Sequence, residues 1–88
     1  MILNRIKEKF NELTPAQKKA AHFMQNNIEE AASLTAKEIG ERSGCSEPTL
    51  HRLAKEIGYN NYLEMSKNLK EVAFEKRVMK RLDRKSVV

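Results

Sequence analysis

Residues 35–58 read TAKEIGERSGCSEPTLHRLAKEIG, a stretch that contains the start and stop signals of two short helices. Thr35 and Glu38 have the spacing of a capping box, in which the side chain of each accepts a hydrogen bond from the backbone N–H of the other. Gly44 ends the first helix, because glycine adopts a positive φ without a Cβ clash. Ser46 is a typical N-cap for the second helix. The stretch therefore predicts two helices joined by a tight turn.

The second predicted helix has an apolar face and a polar face. Its apolar residues follow the spacing i, i+3, i+4, i+7 and should pack on the rest of the domain; they are Leu50, Leu53, Ala54 and Ile57. Pro48 is compatible with this helix because it lies in the first turn, where a missing N–H breaks no hydrogen bond. Two short helices with a glycine-containing turn form a helix-turn-helix unit, whose second helix can enter the DNA major groove.

The polar face and the N-terminal end of this helix are the expected DNA-binding surface. Arg52 is the strongest candidate, since its planar guanidinium can hold guanine O6 and N7 together or clamp a phosphate. Lys55 lies about one turn later and suits a phosphate contact. His51 is as compatible with an ordinary exposed histidine as with a DNA contact. The full expected set is Ser46, Glu47, Pro48, Thr49, His51, Arg52 and Lys55.

Composition fits an anionic partner without naming it. The chain has 88 residues, which is enough for one small domain. Its net charge of +5 suits a negatively charged partner. Residues 35–62 contain four basic and four acidic groups, whereas residues 63–88 contain eight basic and four acidic groups. The even balance of 35–62 leaves open a second reading, a helical protein-interaction domain. The basic tail fits a solvated face better than a DNA-binding arm.

Enzymatic, metal and membrane functions find little support in the sequence. There is no acid/base or nucleophile constellation, and the three glycines do not form a phosphate-binding loop. One cysteine excludes an intramolecular disulfide, and Cys45, His22 and His51 lack the paired spacing of a zinc site. No cofactor is expected. No apolar run is long enough for a signal peptide or a membrane span, so we expect a cytoplasmic protein.

The remaining segments also predict helices. The first dozen residues form an amphipathic pattern through Ile2, Leu3, Ile6, Phe10 and Leu13. Thr14-Pro15-Ala16-Gln17 combines an N-cap, a proline at the first helical position and a capping-box glutamine, and it starts a helix to about Gln25. The expected buried residues of this helix are Ala16, Ala20, Phe23 and Met24. A short helix over 28–33 precedes the helix-turn-helix. The predicted fold is an all-α, homeodomain-like bundle of five to six helices, with a DNA-binding domain over 1–74.

A long helical pattern begins at about Tyr62 and carries two apolar stripes. The first should face the core and comprises Leu63, Ser66, Leu69, Ala73 and Phe74. A second, weaker stripe comprises Val72, Val78, Met79 and Leu82. Because the small core is already closed, this second stripe needs a partner chain, a further domain or an extended linker. Residues 75–88 are therefore expected to be a basic linker or helical tail leading toward a C-terminal domain that this chain lacks.

Four short motifs stand out along the chain: LTPAQKKAA at 13–21, NIEEAA at 27–32, SEPTLHRL at 46–53 and IGY at 57–59. Together they resemble the N-terminal domain of the RpiR family of bacterial transcriptional regulators, over about residues 1–70. The resemblance implies an all-helical domain that binds double-stranded operator DNA. It also implies a homodimer in the full-length protein and a C-terminal sugar-isomerase-like domain that binds a phosphosugar effector. This chain ends before such a domain could begin.

Four positions depart from the residues common in that family. Gly40 and Pro48 stand where alanine is common, Cys45 where valine is common and Leu53 where phenylalanine is common. Three of these are packing changes that leave the fold interpretation intact. Pro48 lies on the reading face, so its change bears on the operator sequence.

Overall fold

Six α-helices and one short 3-10 helix make up the computed structural model, which describes the backbone of residues 2–87 and the side chains of residues 2–79. No strand occurs within this range. The α-helices are α1 (Ile2–Lys9), α2 (Pro15–Asn26), α3 (Ile28–Ser33), α4 (Ala36–Ser43), α5 (Glu47–Glu56) and α6 (Tyr62–Val87). The predicted all-α fold is confirmed. The first helix is shorter than predicted, because residues Phe10–Glu12 tighten into the 3-10 turn.

The two predicted capping boxes are both present. At the start of α2, Thr14 Oγ1 accepts from the Gln17 N–H at 3.2 Å, and Gln17 Oε1 accepts from the Thr14 N–H at 2.9 Å. At the start of α4, Thr35 and Glu38 make the same pair of bonds at 3.2 and 3.0 Å. These bonds satisfy N–H groups that have no partner within the helix, so local sequence determines where both helices begin.

The core is a single apolar cluster to which α5 contributes its predicted stripe. All four predicted residues of that stripe are at most 2 % exposed. α6 packs against α1, α3 and α5 and completes the cluster. The largest fully buried side chains are Ile2, Ile6, Met24, Ile39, Leu50, Leu53, Met65 and Leu69. The apolar face of α5 is therefore packed in the core, and its polar face is exposed to solvent.

Three apolar residues expected in the core are exposed instead. Leu3 is 37 % exposed, Leu63 is 62 % and Phe74 is 67 %. On α6 the buried row runs through Met65, which the sequence analysis did not include, and continues four residues apart along the helix. Leu63 precedes Met65 by two residues, or about 200° around the helix, so the two cannot face the same core. The prediction for the first stripe is therefore confirmed for Leu69 and Ala73, which are buried, and wrong for Leu63 and Phe74 at its two ends.

The second predicted stripe of α6 divides in the structure. Val72 is half-buried and packs against the core, whereas Val78 and Met79 are exposed. Leu82 lies outside the residues whose side chains are described. Val78 and Met79 are therefore not packed against the core of the domain.

One contact between distant parts of the chain holds the end of α5. Arg5 Nη1 on α1 donates to the Gly58 carbonyl at 2.8 Å, and the guanidinium lies 4.4 Å from the centre of the Tyr59 ring. Gly58 has φ of 101°, and a Cβ there would lie 2.8 Å from Arg5 Nη1. The positive φ therefore favours glycine here, and a Cβ would in addition make the end of the Arg5 side chain shift. This contact sets where the chain leaves α5 and turns toward α6.

Candidate nucleic-acid interface

The turn between α4 and α5 folds back onto Gly40. The Gly40 carbonyl accepts from the N–H groups of both Gly44 and Cys45 at 2.9 Å, and Gly44 has φ of 79°. A Cβ at Gly40 would lie 2.7 Å from the Cys45 carbonyl oxygen. The absence of a Cβ at Gly40 therefore lets the backbone of the turn pack directly against α4. This packing sets the position from which α5 starts.

The N-terminal end of α5 is held by a pair of hydroxyl groups. Ser46 Oγ accepts from the Thr49 N–H at 3.4 Å and lies 2.8 Å from Thr49 Oγ1. Ser46 is exposed and Thr49 is half-buried. The N-cap predicted from the sequence is confirmed, and it places two hydroxyls beside the N–H groups of the first turn. Such a helix end is suited to an anion such as a DNA phosphate.

The outer face of α5 carries a row of three exposed side chains, Pro48, Arg52 and Lys55. At about 100° per residue they fall within about 60° of one another and opposite the buried stripe. The side chains of Arg52 and Lys55 make no hydrogen bond or ion pair within residues 2–79. Arg42 on α4 differs, because it forms an ion pair with Glu30. The guanidinium of Arg52 is therefore available to an external acceptor.

One side of the exposed α5 face, formed by Glu47 and His51, contacts the start of α6. His51 Nε2 lies 4.0 Å from Glu47 Oε1, and the His51 and Tyr62 rings are 5.3 Å apart between centroids. Burial raises the pKa of the Tyr62 hydroxyl, the Glu47 carboxylate raises it further, and a hydrogen bond with Ser66 partly offsets both. Tyr62 is a neighbour of the site that the sequence analysis did not include, since it begins the next helix and only tertiary packing brings it to His51.

The site residues named from the sequence thus fall into three groups. Ser46 and Thr49 lie at the helix start, the row of Pro48, Arg52 and Lys55 faces outward, and Glu47 and His51 lie on the flank beside Tyr62. The exposed charges of α5 are balanced, two acidic (Glu47, Glu56) against two basic (Arg52, Lys55). The chemistry of this surface is therefore that of directed hydrogen bonds from a few groups more than of a strongly basic patch.

Other reactive side chains lie apart from this surface or are engaged locally. His22 is exposed on α2 and lies within 3.0 Å of the Asn26 amide. Cys45 is half-buried, packs against the core and lies 3.2 Å from Ser43 Oγ. Within the described side chains, no three His, Cys, Asp or Glu residues are grouped as a metal site would require. Over the same part of the chain, no helix has the length and apolarity needed to cross a membrane.

Comparison with known proteins identifies the family. The family model described as "Helix-turn-helix domain, rpiR family" matches residues 1–76. Neither the curated proteins nor the solved structures include a significant match to this chain. The family match spans α1 to α5 and the first half of α6, and so includes the whole of the turn and the exposed α5 face. The chain belongs to the RpiR family of helix-turn-helix domains, and it is a DNA-binding domain and not an enzyme.

Proposed function

We propose that α5 reads an operator sequence in the major groove as part of a bacterial transcriptional regulator. The observation that supports this most is the outward row on α5, in which Arg52 has no partner within residues 2–79. In this proposal Arg52 binds a guanine edge, with Thr49 or His51 reading an adjacent base. Ser46, Lys55 and the N–H groups of the first turn bind phosphates and set the register.

Glu47 and Pro48 complete the proposed reading surface. A glutamate can accept a hydrogen bond from the cytosine amino group, and an apolar side chain can contact the thymine methyl group. Pro48 is exposed in the first turn of α5, where its ring can make such a contact. We therefore expect these two residues to influence the operator sequence more than the total affinity.

The proposed regulator binds as a homodimer. Two copies would place their α5 helices in successive major grooves, about one helical turn of DNA apart. The resemblance to the family adds a role in sugar or sugar-phosphate metabolism, with a phosphosugar bound by a separate C-terminal domain. Residues 1–74 would then form the DNA-binding unit and residues 75–88 the linker to that domain. Such a regulator would act in the cytoplasm, where the chromosome lies.

Selection from a pool of random duplexes, followed by sequencing, tests the base-reading role of Arg52. We expect the wild-type chain to enrich a short half-site and Arg52→Ala to lose preference at one position, at a cost of about 1–3 kcal/mol. Lys7→Ala is the matched control, because it removes the same charge from an exposed site on α1. A uniform loss across all sequences would instead assign Arg52 to a phosphate.

A protein-interaction domain is the competing function, and it is favoured by the even charge balance of residues 35–62. It predicts that replacing both Arg52 and Lys55 with alanine leaves DNA binding unchanged. The DNA-reading proposal predicts that this double variant no longer binds the enriched half-site. Measuring the affinity of both proteins for that half-site separates the two functions.

A further inference from the structure

An exposed apolar ridge runs along the outer half of α6. Phe74 is 67 % exposed, Val78 is 37 % and Met79 is 59 %, and together with Glu75 they line a groove of about 290 Å³. Within residues 2–79 these are three of the five large hydrophobic side chains that are exposed, and they lie within six positions. Apolar side chains grouped in this way are typical of an interaction surface.

Phe74 and Val78 face away from the core of their own domain, whereas Met79 projects about 100° to one side of Val78. The buried row of α6 comprises Met65, Leu69 and Ala73, and Ala73 is the last buried residue of the described side chains. At about 100° per residue, Val78 projects about 180° from the middle of this row, and Phe74 lies about 40° to one side of Val78. Burial of the ridge therefore requires something outside the domain.

Charged residues of opposite sign lie on the two sides of Phe74 and Val78. By helical position, Lys70 and Arg77 lie on one side of this pair, whereas Glu71 and Glu75 lie on the other, with Glu75 between Val78 and Met79. Lys67 lies in line with the pair, seven residues before Phe74. A two-fold axis parallel to α6 would bring the basic side of one copy against the acidic side of another. Lys70 and Glu75 are also five residues apart, which is the spacing of charge pairs between parallel paired helices.

We infer that this ridge binds a second copy of the same chain, with the two α6 helices parallel about a two-fold axis. Phe74 of each copy packs into the hole formed on the other copy by Phe74, Glu75 and Val78, in the manner of a knob into a hole. The surface is self-complementary, as a two-fold interface requires. The inference rests on the proposed binding of DNA by two copies and names the surface that joins them.

The position of the ridge leaves the DNA-reading face uncovered. Tyr62, which touches His51 of α5, begins α6. Phe74 follows twelve residues later, which is about 18 Å along the helix axis. Pairing through Phe74 therefore takes place at a distance from α5, and both α5 helices of a dimer remain free to contact DNA.

Sedimentation equilibrium of the 88-residue chain measures self-association and so tests whether a second copy binds the ridge. We expect a weak, reversible dimer, because the apolar seam is short, and a roughly tenfold or greater loss of self-association in Phe74→Lys. Leu63→Lys is the matched control, since Leu63 is also exposed on α6 but lies outside the ridge. A monomer at all concentrations up to about 1 mM, or an equally strong dimer in Phe74→Lys, would overturn the inference. The ridge would then belong to another segment or domain.

A charge exchange tests the parallel orientation. Lys70→Glu and Glu75→Lys should each weaken the dimer, because each places like charges opposite one another. The double variant restores opposite charges and should recover most of the wild-type self-association. If the double variant is as weak as the single variants, the parallel arrangement is wrong.

DNA binding separates failure of this inference from failure of the proposed function. Phe74→Lys should bind a duplex with one half-site as tightly as the wild type and lose only the cooperative gain on two half-sites. Arg52→Ala should keep the wild-type dimer and lose sequence preference at the one position assigned to Arg52. Both substituted side chains are exposed, so we expect both variants to fold. Helicity measured by circular dichroism checks this.

Discussion

Gly40 is the residue on which the shape of the turn depends most directly. The space that a Cβ would occupy is taken by the Cys45 carbonyl oxygen, 2.7 Å away. The sequence analysis noted that Gly40 stands where the family commonly has alanine and treated it as a packing change. It could not say which atoms approach Gly40, because the direction in which the chain turns back is a property of the folded backbone.

Gly40→Ala should destabilise the fold despite the higher helix propensity of alanine. Crowding of the turn costs about 1–3 kcal/mol, and the propensity gain of about 1 kcal/mol offsets only part of it. Urea unfolding measures the difference, with Glu41→Ala as an exposed control on the same helix. A variant as stable as the wild type would mean that the turn moves outward without cost.

Tyr62 makes the stability of the fold depend on pH in the alkaline range. Its pKa is raised above 10.0 mainly by burial, so the folded state favours the neutral hydroxyl. As the pH rises past about 10, the unfolded chain loses this proton first and stability falls. Below that pH the contribution is constant.

Tyr62→Phe should therefore reduce the loss of stability between about pH 8 and pH 11. Urea unfolding at both pH values gives the difference for each protein. Tyr59, whose pKa is also raised by burial, remains in the variant, so part of the pH dependence should persist. An unchanged pH dependence in Tyr62→Phe would contradict the contribution assigned to this residue.

At the level of elements, the local signals predicted where helices begin far better than which way they face. The starts of α2, α4 and α5 agree with the capping residues Thr14, Thr35 and Ser46, and the end of α4 agrees with Gly44, because caps act between residues three or four positions apart. α6 has apolar residues on several sides, so periodicity alone permits more than one phase. Packing against α1, α3 and α5 selected the face that contains Met65.

Paired substitutions test the corrected phase of α6. Met65→Ala should cost about 2–5 kcal/mol, because it leaves a cavity among fully buried side chains. Leu63→Ala should change stability by less than about 0.5 kcal/mol, because that side chain is already exposed. The midpoints of urea unfolding provide both values. The opposite order would restore the phase expected from the sequence.

At the scale of the whole molecule, the net charge of +5 does not reside on the reading face. Residues 35–62 are balanced, and the exposed charges of α5 are balanced as well. Attraction to the DNA backbone must therefore come from a few directed contacts together with the wider field of the domain. This distribution makes the salt dependence of binding sensitive to single residues.

Lys55→Ala should reduce the slope of log affinity against log salt by about 1, because one phosphate contact is lost. The loss should be similar for all sequences, in contrast to that of Arg52→Ala. Titrations at several salt concentrations measure the slope, and Lys7→Ala is again the control. An unchanged slope in Lys55→Ala would remove this residue from the proposed phosphate contacts.

Local sequence determined the helices α4 and α5, their caps, the glycine turn between them and the buried stripe of α5. Each of these features depends on residues a few positions apart. The set of DNA-contact residues stays a prediction from the same stretch. Tertiary structure decided the phase of α6, the bond from Arg5 to Gly58 and the contact of His51 with Tyr62. These features join residues that are distant in sequence or depend on which of several apolar faces is buried. Only the packing of whole helices selects among such alternatives.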